Sequence, residues 1–260
     1  MIKTPTYLQH LSEFSAALSF SSLPMPVTSC VKEHILDTVG ICLAATRIDT
    51  SQMAIRLAAS WGGPEESGTF GTNGRFPAAA AAFVNGTLAH SLDFDDTHLP
   101  SVLHPSASIV PAALAVGEAV GASGSQVIAA AAAGYEVCIR TAMAAYDQSL
   151  GNSIFYERGW HATSICGTLG ASVAAAKLYG LDANEIGSAL GIAVSMASGV
   201  IESNRVGGSV KRKKWEQQQI GIDKNTGRFM NLRLLEAQVQ RGEVLNQSKR
   251  LAWGWLSRMT

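Results

Sequence analysis

The chain has 260 residues, is 47% hydrophobic but only 7% aromatic, and carries a formal net charge of zero. That length buries a sizeable core as one large domain or one domain plus a partner, and zero net charge gives no indication of nucleic acid or an anionic membrane as partner. The apolar share is carried mostly by Ala, Val, Ile and Leu, small side chains that suit close-packed helices better than strands.

In chain order, Tyr7 to Leu18 reads as an amphipathic helix that ends near Ser19–Pro24. Pro26 opens a second, with Val31, Ile35, Leu36, Val39 and Leu43 at three- and four-residue spacing. A third spans about Thr50 to Trp61 and stops at Gly62, Gly63 and Pro64. Residues 67–76 are the one strand-like piece, and the Asn73–Gly74 pair predicts a short hairpin or extended loop. Further helices are expected from Ala78 to about Leu92, from Ser106 to Val120, from Gln126 to Tyr146, and from His161 to Tyr179 before Gly180. Asp182 with Glu185 forms a capping-box start for a helix to about Ala197. Recurrent glycines inside these helices (Gly134, Gly167, Gly170, Gly187, Gly191) lower helix propensity, and make sense where helix backbones approach closely. The fold expected is all-α.

Cys30, Cys42, Cys138 and Cys166 lie far apart in apolar, helix-like stretches with no CxxC spacing, which predicts buried thiols in a reducing compartment. No signal-peptide pattern opens the sequence, and the longest apolar stretches are interrupted by Gly, Glu or Arg within about 18 residues, too soon for a spanning helix. A cytoplasmic protein is expected. Charge is uneven, however: residues 1–210 hold 9 Lys and Arg against 16 Asp and Glu, and residues 211–260 hold 11 against 4.

Chemistry concentrates in His90-Ser-Leu-Asp-Phe-Asp-Asp-Thr-His98, continued by His104-Pro-Ser106. Pro100 and Pro105 bracket its end, so the stretch leaves a helix and crosses a loop before the next one begins. Asp93 and Thr97 are four apart and share a face if the last helical turn persists. His and Asp in a desolvated cleft are suited to general acid–base work, and imidazoles can hold substrate carboxylates. A purely structural alternative is an acidic helix end running into a capped loop. A metal alternative draws on Asp95, Asp96, His98 and His104 as mixed oxygen and nitrogen ligands, without any HExxH or paired-His helical spacing to support it. Nucleophilic catalysis lacks a GxSxG elbow or an activated cysteine, and Gly71 to Gly74 is no phosphate loop. His161, in the Gly159-Trp160-His161 run, falls in the first turn of a helix, near the positive dipole end, where it is either a cap or an anion-facing neutral ring. The Gly207-Gly208-Ser209-Val210 run ends in Lys211 and Arg212, either a solvated loop or a wrap for an anion.

Taken together, these pieces resemble the MmgE/PrpD family. The resemblance rests on residues 82–98, on His104-Pro-Ser106 with Pro111 and Ala112, and on Gly159-Trp160-His161 with Gly167-Thr-Leu-Gly170. The Ala-rich run to Leu181 and Ser195-Met-Ala-Ser-Gly199 extend it, for a coverage of about Tyr7 to Arg212. It implies a cofactor-independent, metal-free enzyme acting on small di- or tricarboxylates by proton transfer next to a carboxylate, with loss of water, loss of CO₂ or epimerisation as outcomes. 2-Methylcitrate dehydratase and cis-aconitate decarboxylase are activities of that family. By motif matching it implies Asp93, Thr97, His104, His161 and Lys211 as active-site residues: His104 and His161 handling protons or carboxylates, Lys211 pairing a carboxylate, and Asp93 and Thr97 orienting them. It also implies a homodimer, and an α+β lid that this sequence lacks.

The expected organisation is therefore a helical domain over 1–212, followed at 213–260 by a basic tail that does not match the family and suits a frameshift or truncation product. Weak or no activity is expected of such a chain. Rival readings are a catalytically inactive dimerising remnant and a metal-dependent hydrolase using the Asp/His cluster. Leu232 to Leu245 reads as one more helix.

Overall fold

A computed structural model describes residues 5–201. Lys211 and the expected helix from Leu232 to Leu245 lie outside the described residues. Among those described, nine α-helices and two small hairpins follow one another, in agreement with the all-α expectation.

Helix α1 (Tyr7–Ala17) starts at a reciprocal capping box, in which the Thr6 side chain accepts from the Gln9 N–H and the Gln9 side chain accepts from the Thr6 N–H. The Lys177 Nζ closes its other end by donating to the carbonyls of Ser15 and Ala16, at 2.8 and 3.2 Å. Helix α2 (Met25–Ala45) carries proline in its first turn, where the missing N–H costs nothing. Helix α3 (Asp49–Trp61) stops at Gly62, whose φ of 64° suits glycine.

The hairpin predicted at 67–76 is present as β1 (Ser67–Gly68) paired antiparallel with β2 (Arg75–Phe76). Side chains from neighbouring helices fasten it. Asn85 of α4 (Ala78–His90) accepts from the Phe70 N–H at 3.0 Å and donates to the Gly68 carbonyl at 3.2 Å. Glu118 of α5 (Ser106–Ala119) accepts from the Gly68 N–H at 2.8 Å and pairs with Arg75.

Helix α6 (Gly124–Met143) ends before the expected Tyr146. A second hairpin, β3 (Tyr146–Asp147) with β4 (Asn152–Ser153), and a single turn α7 (Ile154–Glu157) occupy the stretch that follows, and no periodic signal marked them in advance. The chain then forms α8 (Ala162–Leu178) and α9 (Ala183–Met196), the latter opened by the expected Asp182–Glu185 capping box. No helix among the described residues is long and apolar enough to cross a membrane.

Helix α8 packs on α5, α6 and α9, and α5 packs on α4. One apolar cluster gathers Cys42, Ala58, Val84, Leu88 and Ala107 from α2 to α5, and a second gathers Val137, Leu169, Val173, Ile186 and Leu190 from α6, α8 and α9. Glycine permits the central α6–α8 contact: a Cβ on Gly134 would lie 2.7 Å from the Gly170 carbonyl oxygen, and one on Gly170 equally close to that of Gly134. Gly167 meets the Ser108 side chain of α5 in the same way, at 2.5 Å. The close-approach reading does not extend to α9, where a Cβ on Gly187 meets only ordinary contacts and one on Gly191 meets open space.

Cys42, Cys138 and Cys166 are buried as expected, but Cys30 is exposed, because it falls on the outer face of the first turns of α2. Burial pushes the buried thiols up: Cys166 to about 12, and Cys42 and Cys138 further.

Candidate active site

The site begins where α4 ends. Ser91 turns its hydroxyl back onto the Thr87 carbonyl, and Asp93 then takes a φ of 58°, left-handed territory that Asp tolerates better than most residues. That turn redirects the chain, so Asp93 and Thr97 do not share a helical face. The loop next makes a tight excursion: His98 pairs with Leu103, the His98 Nδ1 meets the Ser101 hydroxyl at 2.6 Å, and Val102 holds a φ of 53°. A β-branched residue there is strained, and the excursion returns His104 to the side of Thr97.

The three aspartates have separate roles. Asp95 is 5% exposed, and its Oδ2 accepts from the His90 Nδ1 at 2.6 Å. Asp96 caps α5 by accepting from the Ser106 N–H at 3.0 Å, at the positive end of that helix, and its other oxygen lies 3.4 Å from the His34 Nδ1. Asp93 stands exposed at the turn. Among the described residues, every ion-pair partner of Asp95 and Asp96 is a histidine. The carboxyl of Asp37 on α2 is pushed up by burial, then by Asp96 and, more weakly, by Asp95, against a downward pull from His34.

His104 is fixed from four directions. Its backbone N–H donates to the Thr163 hydroxyl of α8 at 3.0 Å. Its Nδ1 lies 3.1 Å from the Asp96 carbonyl, 3.4 Å from the Asp95 carbonyl and 3.2 Å from the Thr97 hydroxyl. Carbonyl oxygens only accept, so the hydrogen belongs on Nδ1 and the lone pair on Nε2, the nitrogen left for chemistry.

His161 is the N-cap of α8 rather than a first-turn residue, and its Nδ1 meets the Ser164 hydroxyl at 2.7 Å. The segment after α9 locks it in place: the His161 N–H donates to the Gly199 carbonyl at 3.1 Å, and the Ile201 N–H to that of Gly159 at 2.9 Å. A Cβ on Gly199 would come within 2.8 Å of the Ser164 Cβ and 3.1 Å of the His161 Cβ, so this crossing requires glycine.

Of the residues expected at the site, Thr97 and His104 are thus in direct contact, and His104 and His161 both face the ring of His90, at centroid distances of 5.3 and 5.9 Å. Asp93 heads the same loop, and Lys211 lies outside the described residues. Four further residues contribute: two, His90 and Asp95, belong to the motif without having been assigned these roles, and two, Thr163 and His34, lie outside it. His90 and Asp95 form the buried pair; Thr163, three residues from Trp160, anchors His104; and His34, fifty-six residues before His90, reaches Asp96. Only the first two carried a signal, as members of the motif. The metal alternative finds no support in the geometry: His98 is turned to Ser101, and no group of three or more His, Cys, Asp or Glu among the described residues is arranged to hold an ion.

The fold is an all-α domain in which imidazoles and carboxylates converge at helix ends. Residues 9–219 match the model of the MmgE/PrpD N-terminal domain, and the chain belongs to that family. Relatives include the cis-aconitate decarboxylase of Aspergillus terreus, 29% identical over 207 residues that make up 78% of this chain and 41% of the relative. The cis-aconitate decarboxylases of Homo sapiens and Mus musculus are 34% and 33% identical, over 64% and 65% of this chain and 34% and 35% of their own lengths. The chain therefore spans about two fifths or less of the curated relatives it matches.

Proposed function

We propose that the chain carries the acid–base part of a cofactor-independent lyase site for small di- or tricarboxylates, with cis-aconitate as first candidate substrate and 2-methylcitrate as second. The observation that carries this reading is the meeting of three imidazoles: His104 and His161 both face the His90 ring, and His90 and His104 approach the buried Asp95 carboxylate at 2.6 and 3.9 Å. Loss of CO₂ from such a substrate leaves the electron pair of the broken C–C bond on carbon, where an imidazolium can protonate it. Loss of water removes a proton next to a carboxylate and expels hydroxide, which uses the same groups as base and acid. In this reading the His104 Nε2 and the His161 ring move protons or meet carboxylates, Thr97 holds the His104 tautomer, Asp93 orients the loop, and Lys211 pairs a substrate carboxylate. The cis-aconitate decarboxylases of similar sequence favour decarboxylation over the dehydratase alternative.

The test is CO₂ release from cis-aconitate, run beside loss of water from 2-methylcitrate, with the whole chain. Turnover that survives a chelator and falls about 10²–10⁴-fold in His104→Ala or His161→Ala supports the reading, that range being the usual worth of a positioned acid or base. Turnover indifferent to both substitutions overturns the assignment of these histidines, and no turnover of either substrate overturns the reading and leaves the inactive dimerising remnant as the better description.

A further inference from the structure

We propose that His90, held by Asp95, is the proton-sharing residue that joins His104 and His161, a positioning residue of the site rather than a group that meets substrate. Three observations carry this. First, the Asp95 carboxylate, with its side chain 1% exposed, accepts from the His90 Nδ1 at 2.6 Å, which fixes the hydrogen on Nδ1 and the lone pair on Nε2. Second, that Nε2 is buried and has no hydrogen-bond partner, and neither has the Asp95 Oδ1. A buried basic nitrogen without a donor is rare in a finished core, and marks a place that a proton or a bound group completes. Third, His90 is the middle ring, 5.3 Å from that of His104 and 5.9 Å from that of His161. A base whose orientation is set by a buried carboxylate is the arrangement that activates proton acceptors elsewhere.

The step is a proton transfer with no electron change and no co-reactant. Once His104 or His161 has taken a proton, the N–H bond on that ring breaks and one forms at the His90 Nε2, by way of one bridging water, because no ring nitrogen lies within hydrogen-bond reach of that atom. The imidazolium so made is neutralised by Asp95, and the reverse step returns the proton. Among the described residues, the titratable groups around this pair are His104 at the start of α5, His161 at the start of α8, and Asp96. His34, Asp37 and Cys42 of α2 act on Asp95 or Asp96 electrostatically.

The inference builds on the acid–base reading of the cleft, but its test uses no substrate, so a failed turnover assay leaves it standing. The whole chain, labelled with ¹⁵N-histidine, is titrated by NMR, its six histidines assigned by single His→Gln variants. Neutral His90 is expected to carry its hydrogen on Nδ1. In that experiment the His104 and His161 signals are expected to respond to one another's protonation, and to become independent in His90→Gln, which removes the nitrogen that joins them. Should His90→Gln not fold, Asp95→Asn takes its place and is expected to release His90 into a mixture of tautomers. A hydrogen on Nε2 of wild-type His90, His104 and His161 signals independent of one another in the wild type, or a tautomer unmoved by Asp95→Asn, overturns the inference.

Discussion

At the scale of single residues, the site depends on side chains that fix one another. Thr163 is 4% exposed and is the acceptor for the His104 N–H, so Thr163→Val, which keeps the shape and removes the acceptor, leaves a buried donor unpaired. A loss of about 1–3 kcal/mol is expected, read as a lower urea midpoint at unchanged slope. The thiols give a second expectation. Because burial holds Cys42, Cys138 and Cys166 as neutral thiols far above pH 8, only exposed Cys30 should react with iodoacetamide at that pH, and all four once the chain is denatured. Rapid alkylation of Cys138 or Cys166 in the native chain would contradict the packing of α6 against α8.

Helix elements are governed by how closely they can approach. Gly134→Ala places a methyl 2.7 Å from the Gly170 carbonyl oxygen, and is expected to destabilise by about 1–3 kcal/mol through overpacking. Gly191→Ala, inside α9 and facing open space, should instead stabilise by about 0.5–1 kcal/mol, because alanine loses less backbone freedom on folding. Thermal unfolding of the two variants side by side checks the pair, and equal effects would sink the distinction. The Lys177 bond to the end of α1 adds a pH dependence. Burial lowers the Lys177 ammonium below its ordinary value of 10.5, so the unfolded chain holds that proton more tightly than the folded one. The penalty on the charged form is present in full at neutral pH and is relieved as pH rises through the lowered value towards 10.5. Wild-type stability relative to Lys177→Met should therefore rise over that window, as denaturation at a series of alkaline pH values would show.

For the whole molecule, the family match covers residues 9–219, while the curated relatives run to more than twice the matched length. The homodimer implied by the resemblance is a proposal at this scale, and light scattering on the whole chain tests it. The apolar side chains Ile192 and Met196, one turn apart on α9, are more than 60% exposed, a face that suits association, and a monomer at all concentrations would count against it.

The sequence by itself determined the helical class, the positions of most helices and the capping box that opens the last described helix, because spacing and caps act over three or four residues. It also marked the His90–His104 motif, where the structure gathers imidazoles and carboxylates. What tertiary structure decided was the division of labour within that motif. Asp95 became the buried holder of His90 and Asp96 a helix cap, because α4, α5 and α8 meet there and leave one aspartate inside and one at a helix end. Thr163, His34 and Gly199 entered for the same reason: each reaches the motif across dozens of residues of chain, where no local period carries a signal.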